Sequence, residues 1–197
     1  MKRMLISISF VLIVQMLLAQ KGFGECILKA LTNVDSTVGD TIYNSLKWQD
    51  CVVGKAVPDI AFKTVSGKDV EFKKLKRKVV VLNFWFTACV PCLAEIPALN
   101  KLVKEYKNKS VVFLGITYDS YKTLKTGFFP KYKFDFEIVC DVKNITEMFS
   151  AGYPTTYIID KNRIVRYVWS GAVSGKDAET AAYFKAKPMI DELLHEK

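Results

Sequence analysis

Two cysteines at the junction of an apolar strand and a helix constrain this chain more than any other feature. Val79-Val80-Val81-Leu82-Asn83-Phe84-Trp85-Phe86 is almost uninterrupted apolar sequence, the pattern of a strand buried on both faces. Cys89-Val90-Pro91-Cys92 follows it, and Leu93 to Tyr106 then has helix-compatible composition. The pair is therefore placed at a helix N-terminus, where unpaired backbone N–H groups and the helix dipole favour a thiolate over a thiol. A thiol of lowered pKa with a second thiol in reach is what disulfide exchange requires.

Other uses of two cysteines fit poorly. The only histidine is His195, close to the C-terminus, so no imidazole stands near Cys89 to activate it. A second CxxC or a histidine pair that would complete a zinc site is missing from the sequence. The expectation is that metal and cofactor are both none, the chemistry residing in the thiols. An inert bond that merely fixes the helix start is the structural alternative.

The first residues read as a targeting segment. Lys2 and Arg3 form a positive start, Leu5 to Leu18 an apolar core, and Leu17-Leu18-Ala19 a small-residue cleavage site. Residues 1–20 are thus expected to be a signal peptide, and the mature protein to be exported to the periplasm. The same stretch, left uncleaved, would anchor the chain in the membrane. Glu25 before Cys26 replaces the small residue that a lipid-attachment site needs. Loss of Lys2 and Arg3 takes the net charge from +9 to about +7, a surplus spread along the chain. Its one cluster, Lys73-Lys74-Leu75-Lys76-Arg77-Lys78, fits a solvated turn leading into a buried strand better than a site for an acidic partner or a membrane surface. Nothing resembles a nucleic-acid-binding motif.

Residues 21–53 read as an N-terminal extension with Cys26 and Cys51 near its two ends, and 54–197 as one domain. Ile60–Val65 and Val70–Phe72 form a predicted hairpin about Ser66-Gly67-Lys68-Asp69. After the buried strand comes a helix from 90 to 107 with Pro97 inside it, where a kink is expected. Ser110–Thr117 reads as a second, parallel strand. A helix over 120–130, a strand over 136–139 and a short helix capped at Asn144 follow. Thr155–Ile159 and Ile164–Trp169 form a second hairpin around a polar turn. A helix from 176 to the end is expected to break near Pro188. Strands alternating with helices and closed by a hairpin specify an α/β domain, a central mixed sheet with helices on both faces.

Strand, CxxC, helix with an internal proline, and a later Gly152-Tyr153-Pro154-Thr155-Thr156-Tyr157-Ile158-Ile159-Asp160 resemble a thioredoxin-like fold. Val81-Leu82-Asn83-Phe84-Trp85, the CxxC and Pro154-Thr155-Thr156 are similar to the TlpA/ResA type, exported thiol–disulfide oxidoreductases of bacteria. Gly54 to Asp59 resembles the entry motif of the wider redoxin superfamily, and the likeness spans about 54–195. It implies the α/β thioredoxin-like architecture with an N-terminal β-hairpin extension. Cys89 becomes the attacking thiolate, exposed at the helix tip, and Cys92 the resolving thiol one turn deeper. Pro154 becomes a cis-proline that presents the Tyr153 backbone to an extended substrate. Glu95 becomes a buried proton-handling group near Cys92. An exposed Glu95 that simply complements the helix dipole is the competing reading of its place on the helix. Asn83 stands where cytosolic thioredoxins carry a buried aspartate. Ala88 and Tyr153 depart from the family's usual residues and, with Val90 and Pro91, should border the substrate.

The resemblance implies a reductase of disulfides in exported proteins, recharged by a membrane electron donor of thiol-reducing type, with apocytochrome c among candidate substrates. The same pair could serve a disulfide oxidase or isomerase, a thiol peroxidase, or a non-enzymatic binding module. Pairing of Cys26 with Cys51 is left open by the sequence; a bridge there would stabilise by about 3 kcal/mol. Cys140, at a strand end, reads as a buried free thiol.

Overall fold

The computed structural model describes Phe23, Glu25, Cys26 and residues 48–150, 152–173 and 177–196. The expected signal peptide and most of the extension lie outside the described residues. Strands β1 (Ala61–Lys63) and β2 (Asp69–Glu71) form an antiparallel hairpin apart from the main sheet. Its turn includes Gly67 at a φ of +88, which side chains with a Cβ rarely adopt. The main sheet comprises β3 (Val79–Phe84), β4 (Val111–Ile116), β5 (Glu137–Val139), β6 (Thr155–Ile159) and β7 (Val165–Ser170). Their order is β5-β4-β3-β6-β7, parallel on the β4 and β5 side and antiparallel on the β6 and β7 side. The sheet is mixed, as the pattern of elements predicts.

Every residue of β3 is buried, because both faces of the sheet are covered. Val79 and Val81 face α1 (Val90–Glu105) and α4 (Ala178–His195), sharing a core with Leu99, Leu102 and Ile190. Val80, Leu82 and Phe84 face the other way, onto Tyr157, Phe149 of α3 (Lys143–Phe149), and Phe23, Trp48 and Val52 of the extension. Phe23 packs 4.7 Å from Phe149 and Trp48 lies edge-on to Tyr157, so these residues seal the second face. A disulfide joins Cys26 to Cys51 beside them. Among the described residues no helix is long and apolar enough to cross a membrane.

Several elements differ from expectation. The predicted helix over 120–130 is one α turn, α2 (Tyr121–Thr123), continued as a π-helix over Leu124–Phe128. Helix α3 begins at Lys143 with Val142 at its N-cap and no side-chain cap, so Asn144 is not the capping residue. Apolar anchoring by Ile145 and Phe149 replaces the cap. Helix α4 runs unbroken through Pro188. Phe184, four residues before Pro188, is 67% exposed, so water can take the place of the missing N–H. Helix α1 likewise contains Pro97.

Candidate active site

β3 delivers the chain to the active-site end of the sheet, and the turn Phe86-Thr87-Ala88-Cys89 reverses it into α1. Cys89 N–H closes that turn on the Phe86 carbonyl at 3.1 Å. Cys89 is the N-cap of α1, and its Sγ accepts the Cys92 N–H at 3.2 Å. The sulfur thus takes up one of the donors that a helix start leaves without a backbone partner. The two cysteines are joined by a disulfide, with Cα atoms 5.2 Å apart. Pro91 lies in the first turn, where its missing N–H costs nothing.

Cys89 is not exposed at the helix tip as its place in the motif predicts: only 5% of it meets solvent. Its sulfur is turned inward onto Cys92 and the α1 core. Ala88, Val90 and Pro91 beside it are exposed, so the surface over the pair is built by its neighbours.

Glu95 stands one helical turn beyond Cys92, on the same face. It is 2% exposed, which removes the solvent-facing alternative. Its Oε1 accepts a 2.8 Å hydrogen bond from Asn83 Nδ2, which also donates to Thr156 Oγ1 at 3.0 Å. Asn83 is the one polar residue of β3, and it points to the α1 side to meet this carboxyl. Burial pushes the Glu95 carboxyl up to about 7, against the opposing pull of the Asn83 hydrogen bond. On its far side a cavity of about 390 Å³, lined also by Trp169 and Lys185, reaches Glu95.

The Tyr153–Pro154 peptide is cis, and Pro154 is buried. β6 begins next to it, with Thr155 opposite Phe84, so Pro154 lies at the same end of the sheet as the cysteines. Tyr153 is half-buried. Its ring meets Phe86 at 5.2 Å and Tyr118 at 5.8 Å, and Phe86 stacks on Tyr118 at 5.4 Å. The loops before Cys89 and before Pro154 are joined through these rings. Cys140, at the end of β5, is a half-buried free thiol whose Sγ donates to Asp141. Burial and that acidic neighbour push it up to about 11, which makes it a poor nucleophile. Among the described residues no group of three His, Cys, Asp or Glu side chains is gathered for a metal ion.

Sequence reasoning missed the partners of these groups: the Asn83 donor to Glu95, the Tyr118 ring, and Asp119, whose carboxylate accepts the Thr87 N–H at 2.6 Å. A signal for the last two existed. They follow the C-terminal end of a buried parallel strand, where α/β folds gather their sites.

The AhpC/TSA family matches residues 53–168. The chain belongs to that family. The match runs from the entry loop into β7 and includes the CxxC, Glu95 and Pro154. Among curated relatives, the thioredoxin-like protein YneN of Bacillus subtilis is 38% identical, over 64% of this chain and 76% of that protein. The thiol–disulfide oxidoreductase ResA of Bacillus cereus is 34% identical, over 64% and 75%. Among solved structures, a thioredoxin-family thiol:disulfide interchange protein of Chlorobium tepidum superimposes with a TM-score of 0.58 at 22% identity, covering 71% of this chain and 95% of that one. A secreted disulfide oxidoreductase of Mycobacterium tuberculosis gives 0.56 at 20% identity, covering 68% and 96%. The last two establish the thioredoxin-like fold. With its family and relatives, this chain is a thiol–disulfide oxidoreductase.

Proposed function

We propose that this protein is an exported reductase of protein disulfides, working through Cys89 and Cys92. The observation that carries the proposal is the placing of the pair: Cys89 caps α1, and a buried carboxyl of raised pKa stands one turn behind Cys92. In the reduced enzyme, the Cys89 thiolate attacks one sulfur of a substrate disulfide. A mixed disulfide forms, and the other substrate sulfur leaves as a thiolate that takes a proton from solvent or Glu95. Cys92 gives up its proton, with Glu95 as acceptor, and attacks Cys89 Sγ. The Cys89–Cys92 bond forms, the second substrate thiol is released, and two electrons have passed to the substrate.

The cis Pro154 places the Tyr153 backbone for pairing with an extended substrate segment, with Ala88, Val90 and Pro91 forming the opposite rim. The apolar N-terminal segment supports export, as cleaved signal or as anchor. A thiol-reducing membrane donor returns electrons to the oxidised pair. Oxidised exported proteins, apocytochrome c among them, are the substrate class. A reduction potential close to that of the strong periplasmic oxidants would instead assign the pair to disulfide formation. Dithiothreitol-coupled reduction of insulin, abolished by Cys89→Ser, tests the activity. Peroxide turnover that survives Cys92→Ser would favour peroxidase chemistry in its place.

A further inference from the structure

We infer that Asp119 is a positioning residue for Cys89, acting through the backbone of the turn that carries it. The inference rests on Cys89 being the attacking thiol. Asp119 lies in the loop after β4, remote in sequence from the CxxC. Its Oδ2 accepts the Thr87 N–H at 2.6 Å, inside the Phe86–Cys89 turn and two residues before the nucleophile. That turn has one further main-chain tie across itself, the bond from Cys89 N–H to the Phe86 carbonyl. The Asp119 carboxylate is therefore a side-chain tie from the turn to the loop after β4, beyond the backbone bond from Trp85 N–H to the Ile116 carbonyl that precedes it.

Asp119 is itself held through its N–H, its carbonyl and Oδ2. Its N–H donates to Thr117 Oγ1 at 3.1 Å, and the same hydroxyl donates to Oδ2 at 3.3 Å. Its carbonyl accepts the Asp141 N–H at 3.0 Å, which ties it to the end of β5. Thr117 is fully buried, so the bracket stands on a rigid base. Tyr118, the residue between them, stacks on Phe86 and gives the turn a second, apolar contact from the same loop. A carboxylate is a costly choice at this place, because a fixed negative charge so close to Cys89 opposes the thiolate that the helix start favours. Its use is explained by geometry: it accepts from Thr87 and from Thr117 with one oxygen. What the bracket controls is the register of Cys89 on the first turn of α1, and so the alignment of its sulfur with the Cys92 N–H.

The test separates acceptor from charge. On a Cys92→Ser/Cys140→Ser background, only Cys89 reacts with the disulfide probe dithiobis-nitrobenzoate, and its second-order rate constant at neutral pH is the readout. Asp119→Asn keeps an oxygen for the Thr87 N–H and removes the charge; it is expected to match or exceed the parent. Asp119→Ala removes both and is expected to react about ten- to a hundred-fold more slowly, the upper figure being the cost of a reacting group misplaced by about 1 Å. Thr117→Val, which weakens the bracket while leaving Asp119 in place, is expected to fall between them and guards against a variant that does not fold. Amide exchange at Thr87, which is independent of Cys89 chemistry, should quicken in Asp119→Ala and Thr117→Val but not in Asp119→Asn. Equal rates in the alanine and asparagine variants, or unchanged Thr87 protection in Asp119→Ala, would overturn the inference. A parent with no reactive Cys89 would instead overturn the exchange function, with Thr87 exchange still reporting on the bracket.

Discussion

Asn83 on β3 donates to the Glu95 carboxyl on α1, and both side chains are buried. The bond favours the carboxylate, while burial favours the acid, and burial wins: the group is poised at about 7. A proton carrier with this poise serves both half-reactions of a thiol exchange near neutral pH.

Stability should depend on that proton. Glu95 has its ordinary value near 4.5 when unfolded and about 7 when folded, so the folded state binds the extra proton between those values. Stability is therefore fully present below about 4.5 and falls as pH rises through 7, by at most about 3 kcal/mol. Thermal unfolding of the oxidised protein across this range should show a falling Tm, and Glu95→Gln should remove this component of the slope.

Asn83→Ala removes the one interaction that holds the Glu95 pKa down, leaving burial unopposed. The pH midpoint of Cys92 reactivity should rise by roughly one unit relative to the parent. An unmoved midpoint would disconnect Glu95 from the resolving thiol.

The Cys26–Cys51 bridge closes a separation of 25 residues against the face of the sheet that does not carry the redox pair. Cys26→Ala/Cys51→Ala should lower unfolding free energy by about 3 kcal/mol in denaturant titration. Insulin reduction at a temperature where the variant remains folded should be retained.

Gly115 lies in β4, where an added Cβ would come 2.8 Å from Ile138 Cδ1 and 3.2 Å from Trp85 Nε1. Gly115→Ala should cost about 1–3 kcal/mol by overpacking, read as a lowered denaturation midpoint.

Much of this molecule is legible in its residues. The apolar run into Cys89, the Ser66–Asp69 turn and the polar turn before β7 declare themselves locally, so strand, hairpins and sheet type follow. What stays hidden depends on partners far along the chain. Glu95 is compatible with an exposed or a buried place on α1, and Asn83 with the packing of α4 decides it. Cys89 is buried because its sulfur turns inward, which its position in the motif does not reveal. Pro188 reads as a break until the exposed Phe184 position shows that water can replace the lost bond. Asp119 and Thr87 are separated by 32 residues and meet only because β3 and β4 are parallel neighbours.

The division of labour between Cys89 and Cys92 is tested most directly by trapping. Cys92→Ser should leave a reduced Cys89 that captures disulfide substrates as stable mixed disulfides, identified by mass spectrometry of adducts released with reductant. Adducts joined through Cys89, absent in Cys89→Ser/Cys92→Ser, are the expected result. Adducts joined through Cys140, or none at all while the native pair reduces insulin, would contradict it.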